Sequence, residues 1–162
     1  MTQEEKQLLL KDFCARLPYG VKGRVYTETT NGTYDISGDM IFFDSPFDVT
    51  LDDINTSTEE LHVIAIGNED TIDFIEDQQV CGSPFIVEEF EPYLRPMSSM
   101  TDEEVNEFIL ISDTVLWLGE KRSTCILSLE QMDWLNAHHF DYRGLIEKGL
   151  ALEAKEGMYK TE

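Results

Sequence analysis

The strongest constraint on this chain is a missing residue type: between Arg24 and Arg95 there is no lysine or arginine. The same stretch, residues 25–94, carries 17 Asp and Glu. The flanks hold the other 16 acids and all 12 bases, so −17 of the formal net charge of −21 belongs to the central block. A field of that sign opposes binding to nucleic acid or anionic membranes, and it favours solubility and a basic protein partner. Two arrangements fit it. One is a solvated acidic surface on a sheet region. The other imitates the phosphate rail of DNA or RNA and blocks a nucleic-acid-binding enzyme, which requires many carboxylates on one continuous face, unpaired with bases. Asp52, Asp53, Asp70, Asp73, Glu76, Asp77, Glu88 and Glu89 are the acids offered for such contact.

The charge does not prevent folding. Of 162 residues, 41% are hydrophobic and 10% aromatic, enough to build one core. A single domain over 1–162 is expected, with a helix and an acidic β-rich part to about 92, a helical part over 93–154 and a frayed polar tail over 155–162. No run approaches the ~18 consecutive apolar residues of a membrane span. The polar, acidic start lacks the pattern of a secretory signal. Cys14, Cys81 and Cys125 are odd in number, widely spaced and without a C-x-x-C, so each reads as a small buried hydrophobe in a reducing, cytoplasmic compartment.

Thr2, followed three residues later by Glu5, is a capping-box pattern, and Leu9, Leu10, Phe13, Cys14 and Leu17 recur at helical spacing. The pattern predicts a helix over 3–16, stopped by Pro18 and Gly20. Strands are expected over 21–28, 33–44, 61–66, 71–76 and 85–90, with Asn31-Gly32 as a hairpin turn and an interruption at Ser37-Gly38. Residues 91–96 then leave the sheet extended, because a residue before proline avoids the helical region. Thr101 with Glu104, and Ser128 with Gln131, open two further helices. Val105, Phe108 and Ile109 mark a face of the first, and Leu129, Met132, Leu135 and His138 a face of the second. The apolar run Val115–Leu118 fits either a helix end or a strand. The fold class is therefore α+β: an N-terminal helix, a small curved antiparallel sheet or open β-barrel, and C-terminal helices packed on it.

Motifs for chemistry are sparse. His138, His139 and Asp141 bring two imidazoles and a carboxylate together, a candidate metal-dependent hydrolase centre. Adjacent helical residues point ~100° apart, however, and imidazoles suit a helix C-terminus in any case. No calcium loop, P-loop, dinucleotide fingerprint or hydrolase elbow occurs, so no cofactor or metal is implied. Tyr93 and Arg95, on the rigid segment Tyr-Leu-Arg-Pro, either present a recognition surface or pin the sheet to the helices through an acid paired with Arg95. Gly144 and Gly149 read as turn formers.

Three segments are familiar together: LKDFCARLPYGVK (10–22), YLRPMSSMT (93–101) and DWLNAHHFDYRGLI (133–146). They resemble a family of small bacterial proteins found in phage and other mobile-element contexts. That resemblance implies no activity, cofactor or catalytic residue. The leading expectation is a non-enzymatic interaction module, working through the acidic block or through the Tyr93–Met100 junction. A small metal-dependent hydrolase and a self-associating structural protein are the alternatives.

Overall fold

The computed structural model describes residues 1–26, 31–34, 40–43, 46–65, 85–111 and 127–159. Helix α1 spans Gln3–Arg16, as its spacing predicts. Thr2 Oγ1 accepts from the Glu5 amide while Glu5 returns a carboxylate to the Thr2 amide, satisfying two of the free N–H groups of the first turn.

Strands β1 (Lys22–Val25), β4 (Phe47–Asn55), β5 (Glu60–Ala65), β6 (Phe85–Ile86), β7 (Phe90–Leu94) and β8 (Leu152–Glu153) form one open sheet in the order β6-β5-β4-β1-β7-β8. All pairs are antiparallel except β7 with β8, so the sheet is mixed and does not close. Strands β2 (Asn31–Tyr34) and β3 (Met40–Phe43) make a separate hairpin. Helices α2 (Asp102–Ile111) and α3 (Leu129–Ala137) follow, so the class is α+β.

One face of the sheet carries the core. Val25, Val49, Leu51, Leu61, Val63 and Phe90 are buried there against Leu9 and Phe13 of α1. Phe13 and Phe90 meet edge to face at 5.2 Å, a favourable aromatic geometry. Gly23 is needed beneath Phe90, because a Cβ there would overlap the ring and crowd the Glu91 carbonyl. A second aromatic group, Phe108, Trp134 and Phe140, joins α2, α3 and the chain after α3.

Several expectations are corrected. Asn31 and Gly32 are not a turn: they pair with Phe43 and Phe42 in the antiparallel β2–β3 pair, and the expected interruption at Ser37-Gly38 lies outside the described residues. Here the pairing of flanking segments outweighs local turn chemistry. Strand β4, central in the sheet, was not among the expected strands. Residues 85–90 are broken by a 3-10 turn at Val87–Glu89, and Glu91-Pro92 stays in the sheet as part of β7. Cys14 is exposed, and Asp12 and Arg16 take its place on the buried face of α1. Leu129 is exposed, while Gln131, Leu135 and Asn136 are the buried positions of α3. Residues 155–159 are not frayed but pack back onto β1 and β7. The expected strand over 71–76, the run Val115–Leu118, Cys81 and Cys125 lie outside the described residues.

Candidate functional site: an acidic groove at the sheet–helix junction

The junction after β7 is built on Arg95. Its amide donates to the His139 carbonyl and its own carbonyl accepts from the Asp141 amide, both at 2.8 Å, so strand geometry continues into the chain following α3. The guanidinium lies 4.2 Å from the centre of the Phe140 ring and grips Glu104 with two parallel bonds of 2.7 and 2.9 Å. Such forked pairing is the strong, directional form of an ion pair. The guanidinium, helped by the Thr101 amide, holds the Glu104 carboxyl below its ordinary range despite burial. Arg95 thus pins the sheet to α2 through an acid. Tyr93 does not present a surface: it is 3% exposed, and its hydroxyl donates to Asp48 at 2.9 Å. Burial first, and the Asp48 carboxylate second, push that phenol up to about 12.

Above the Arg95–Glu104 pair lies a groove of about 810 Å³. One wall is the first two turns of α2, with Glu103 and Glu107 one helical turn apart on the same side. The opposite wall is the C-terminal stretch, with Glu153, Glu156 and Tyr159. All four glutamates are exposed. Among the described residues two cations line it, and both are engaged: Arg95 by Glu104, and Lys155 by Asp48 at 3.3 Å. Among the described residues the groove is therefore a concave surface on which carboxylates outnumber bases and both bases are already paired.

The His pair sits beside it but does not form a catalytic cluster. His138 caps α3; its Nδ1 lies 2.9 Å from the Trp134 carbonyl, which places the proton there, and its ring stacks on Trp134 at 3.9 Å. It reaches the groove lining. His139 turns the other way on a positive φ of 57°, a conformation that costs a non-glycine residue ~1 kcal/mol. It is 3% exposed, its Nε2 faces the Tyr19 carbonyl at 3.2 Å, and its ring stacks on Tyr159 at 3.6 Å. Burial, then the Arg16 guanidinium, depress it to about 3, so the imidazole is neutral. Asp141 accepts from the Leu145 and Ile146 amides, both at 2.8 Å, and spends its carboxylate capping that turn. The three side chains serve three different partners, and among the described residues no three His, Cys, Asp or Glu side chains are placed to hold a metal ion.

The acidic block looks different folded than written. Eight of its acids have described side chains. Three of these are bound to bases brought in from the flanks. Asp48 takes Arg24 at 2.9 Å and Lys155; burial raises its carboxyl, but Arg24, Tyr93 and Lys155 together hold it below its ordinary value. Glu59 and Glu88 share Lys6 at 2.6 and 3.0 Å, which raises the ammonium. Asp53 and Glu89 accept backbone amides, from Ile54 and Ile86. Asp52 is exposed at the bulge of β4. Asp70, Asp73, Glu76 and Asp77 lie outside the described residues.

Arg95 stands out in the sequence, whereas Glu103, Glu107, Glu153 and Glu156 do not, because they lie in the flanks and outside the acidic block. Nor does the buried pair Asp12 and Arg16, 2.8 Å apart, although Leu9, Asp12, Phe13 and Arg16 share one helical spacing. Arg16 anchors the chain after α3 by donating to the Phe140 carbonyl at 2.8 Å, and Arg143 adds a second contact to Asp12 at 3.2 Å.

No family model, no curated protein and no solved structure matches the chain. No described helix is long and apolar enough to cross a membrane.

Proposed function

We propose that the protein is a non-enzymatic interaction module that receives a basic segment of a partner protein in the groove between α2 and the C-terminal stretch. One observation carries this reading: four exposed glutamates from two separate parts of the chain face one concavity, and both bases among its described lining residues are already paired. A volume near 810 Å³ accommodates one or two long side chains of an extended peptide. Lysine or arginine there would meet carboxylates from both walls. The rim is open to water, so each contact contributes modestly and the sum depends on salt. Acids of the sheet favour this site less, since Asp48, Glu59 and Glu88 already hold cations.

The test is calorimetric titration of a capped Lys/Arg-rich peptide into the protein at ionic strengths of about 0.01 and about 0.15 M. Binding should weaken as salt rises. Replacing Glu103, Glu107, Glu153 and Glu156 together by Gln should reduce affinity about tenfold or more, at a few tenths of a kcal/mol per carboxylate. Asp52→Asn with Asp53→Asn should leave it unchanged. Absence of binding in low salt, or equal loss in both variants, would remove this function.

A further inference from the structure

The two walls of the groove are held by different means. The α2 wall is a capped helix fixed through Glu104 to Arg95. The other wall is a strap. Its near end is sheet: Leu152 and Glu153 pair with Tyr93 and Leu94, and the Ala154 amide donates to the Leu94 carbonyl at 2.8 Å. The strap then arches through exposed Lys155, Glu156 and Gly157, turning where the Met158 amide meets the Lys155 carbonyl and Gly157 takes a φ of 74° that suits glycine. Its far end is fastened at Tyr159. The Tyr159 hydroxyl accepts from the Lys22 amide at 3.0 Å and donates to the Tyr93 carbonyl at 2.9 Å, bridging β1 and β7. Its ring covers His139 at 3.6 Å, and the Lys22 ammonium donates to the adjoining Met158 carbonyl at 3.1 Å.

We propose that Tyr159 is a positioning residue for the groove, a clasp that holds the strap as its second wall so that Glu153 and Glu156 face Glu103 and Glu107. This rests on the reading of the groove as the receptor for a basic segment. A strap tied at both ends has its ordering cost met before the partner arrives. Freed at Tyr159, it keeps the sheet end at β8 and the two lysine contacts, Lys155 with Asp48 and Lys22 with the Met158 carbonyl, so Glu156 is held less firmly before binding. Unfastening also opens His139 to water, because the phenol is its cover. The groups around that imidazole are Arg16 from α1, the Tyr19 carbonyl, Lys22 from β1, and His138 beside it. Wetting it removes the burial that comes first in keeping it neutral.

The clasp is tested in the full chain with Tyr159→Ala and Tyr159→Phe, by two readouts. The first is the NMR titration of His139. In the parent it should stay neutral down to about pH 3; in Tyr159→Ala its midpoint should rise by about one unit or more, while Tyr159→Phe, which keeps the ring, should leave it close to the parent. The second is affinity for the capped basic peptide, expected to fall about tenfold in Tyr159→Ala and about threefold in Tyr159→Phe. An unmoved His139 midpoint in Tyr159→Ala would overturn the clasp. So would a moved midpoint with unchanged affinity, which leaves the groove reading intact. No peptide binding by the parent would sink the groove reading and the clasp's role in it together.

Discussion

Asp48 and Glu107 are both surface carboxylates, but their surroundings are opposite. Asp48, from the block without bases, meets Arg24, Tyr93 and Lys155 on the outer face of the sheet. Glu107, from a flank that contains bases, faces a groove whose two described cations are already taken. The same exchange repeats with Lys6, which crosses to Glu59 and Glu88, while Glu153 and Glu156 join Glu103 across the groove. Folding moves three bases of the flanks, Lys6, Arg24 and Lys155, onto acids of the block, while Glu103, Glu107, Glu153 and Glu156 of the flanks meet no base among the described residues. Charge density along a sequence therefore says little about where unpaired charge ends up. Pairing decides that, and an ion pair already made on the surface offers a partner little.

Three stability measurements sharpen this contrast. The largest effect belongs to the groove floor. Glu104→Gln leaves the Arg95 guanidinium half-buried without its fork, and chemical denaturation should show a loss of about 2 kcal/mol. Asp48→Asn removes a more exposed hub and should cost about 1 kcal/mol. Both carboxyls lie below their ordinary values of 4.5 and 3.8, so each stabilises the fold fully above those values and less as pH falls through the lower folded ones. The acid-induced loss should be shallower in either variant than in the parent. The smallest effect is expected from Gln at Glu103, Glu107, Glu153 and Glu156, within about 0.5 kcal/mol of the parent and toward greater stability, since only like-charge repulsion is removed. A cost equal to that of Asp48→Asn would mean these acids carry internal pairs, and the contrast would collapse.

How much was legible in advance depended on how local the cause was. All three capping boxes were readable, because a side chain reaching three residues along is written in the spacing. The turn-forming role of Gly144 and Gly149, both at φ 67°, was also readable locally, whereas the sequence leaves Arg95 open between a recognition surface and a pin, and its acid, Glu104, lies nine residues away. Strand β4 was missed despite its alternation: Val49 and Leu51 point to the core and Asp48 and Thr50 away from it, but the aspartates drew notice as charge rather than as the polar half of a strand. Asp12 and Arg16 were passed over because charged residues at core spacing read as interruptions of an apolar face rather than as a buried pair. The groove was not legible at all. Glu103 and Glu107 can be placed on one helix side from sequence, but nothing local says that Glu153 and Glu156 return to face them; only the parallel pairing of β8 with β7 brings them there.

The most direct test of the central claim is amide chemical-shift mapping of the isotope-labelled protein titrated with the capped Lys/Arg-rich peptide in low salt. The groove account predicts that the largest shifts fall at Glu103, Glu107, Glu153 and Glu156, and that they fade on adding salt. Shifts concentrated instead in the acidic strand region, at Asp52, Asp53 and onward to Asp77, with the groove silent, would contradict it and return the working surface to the block.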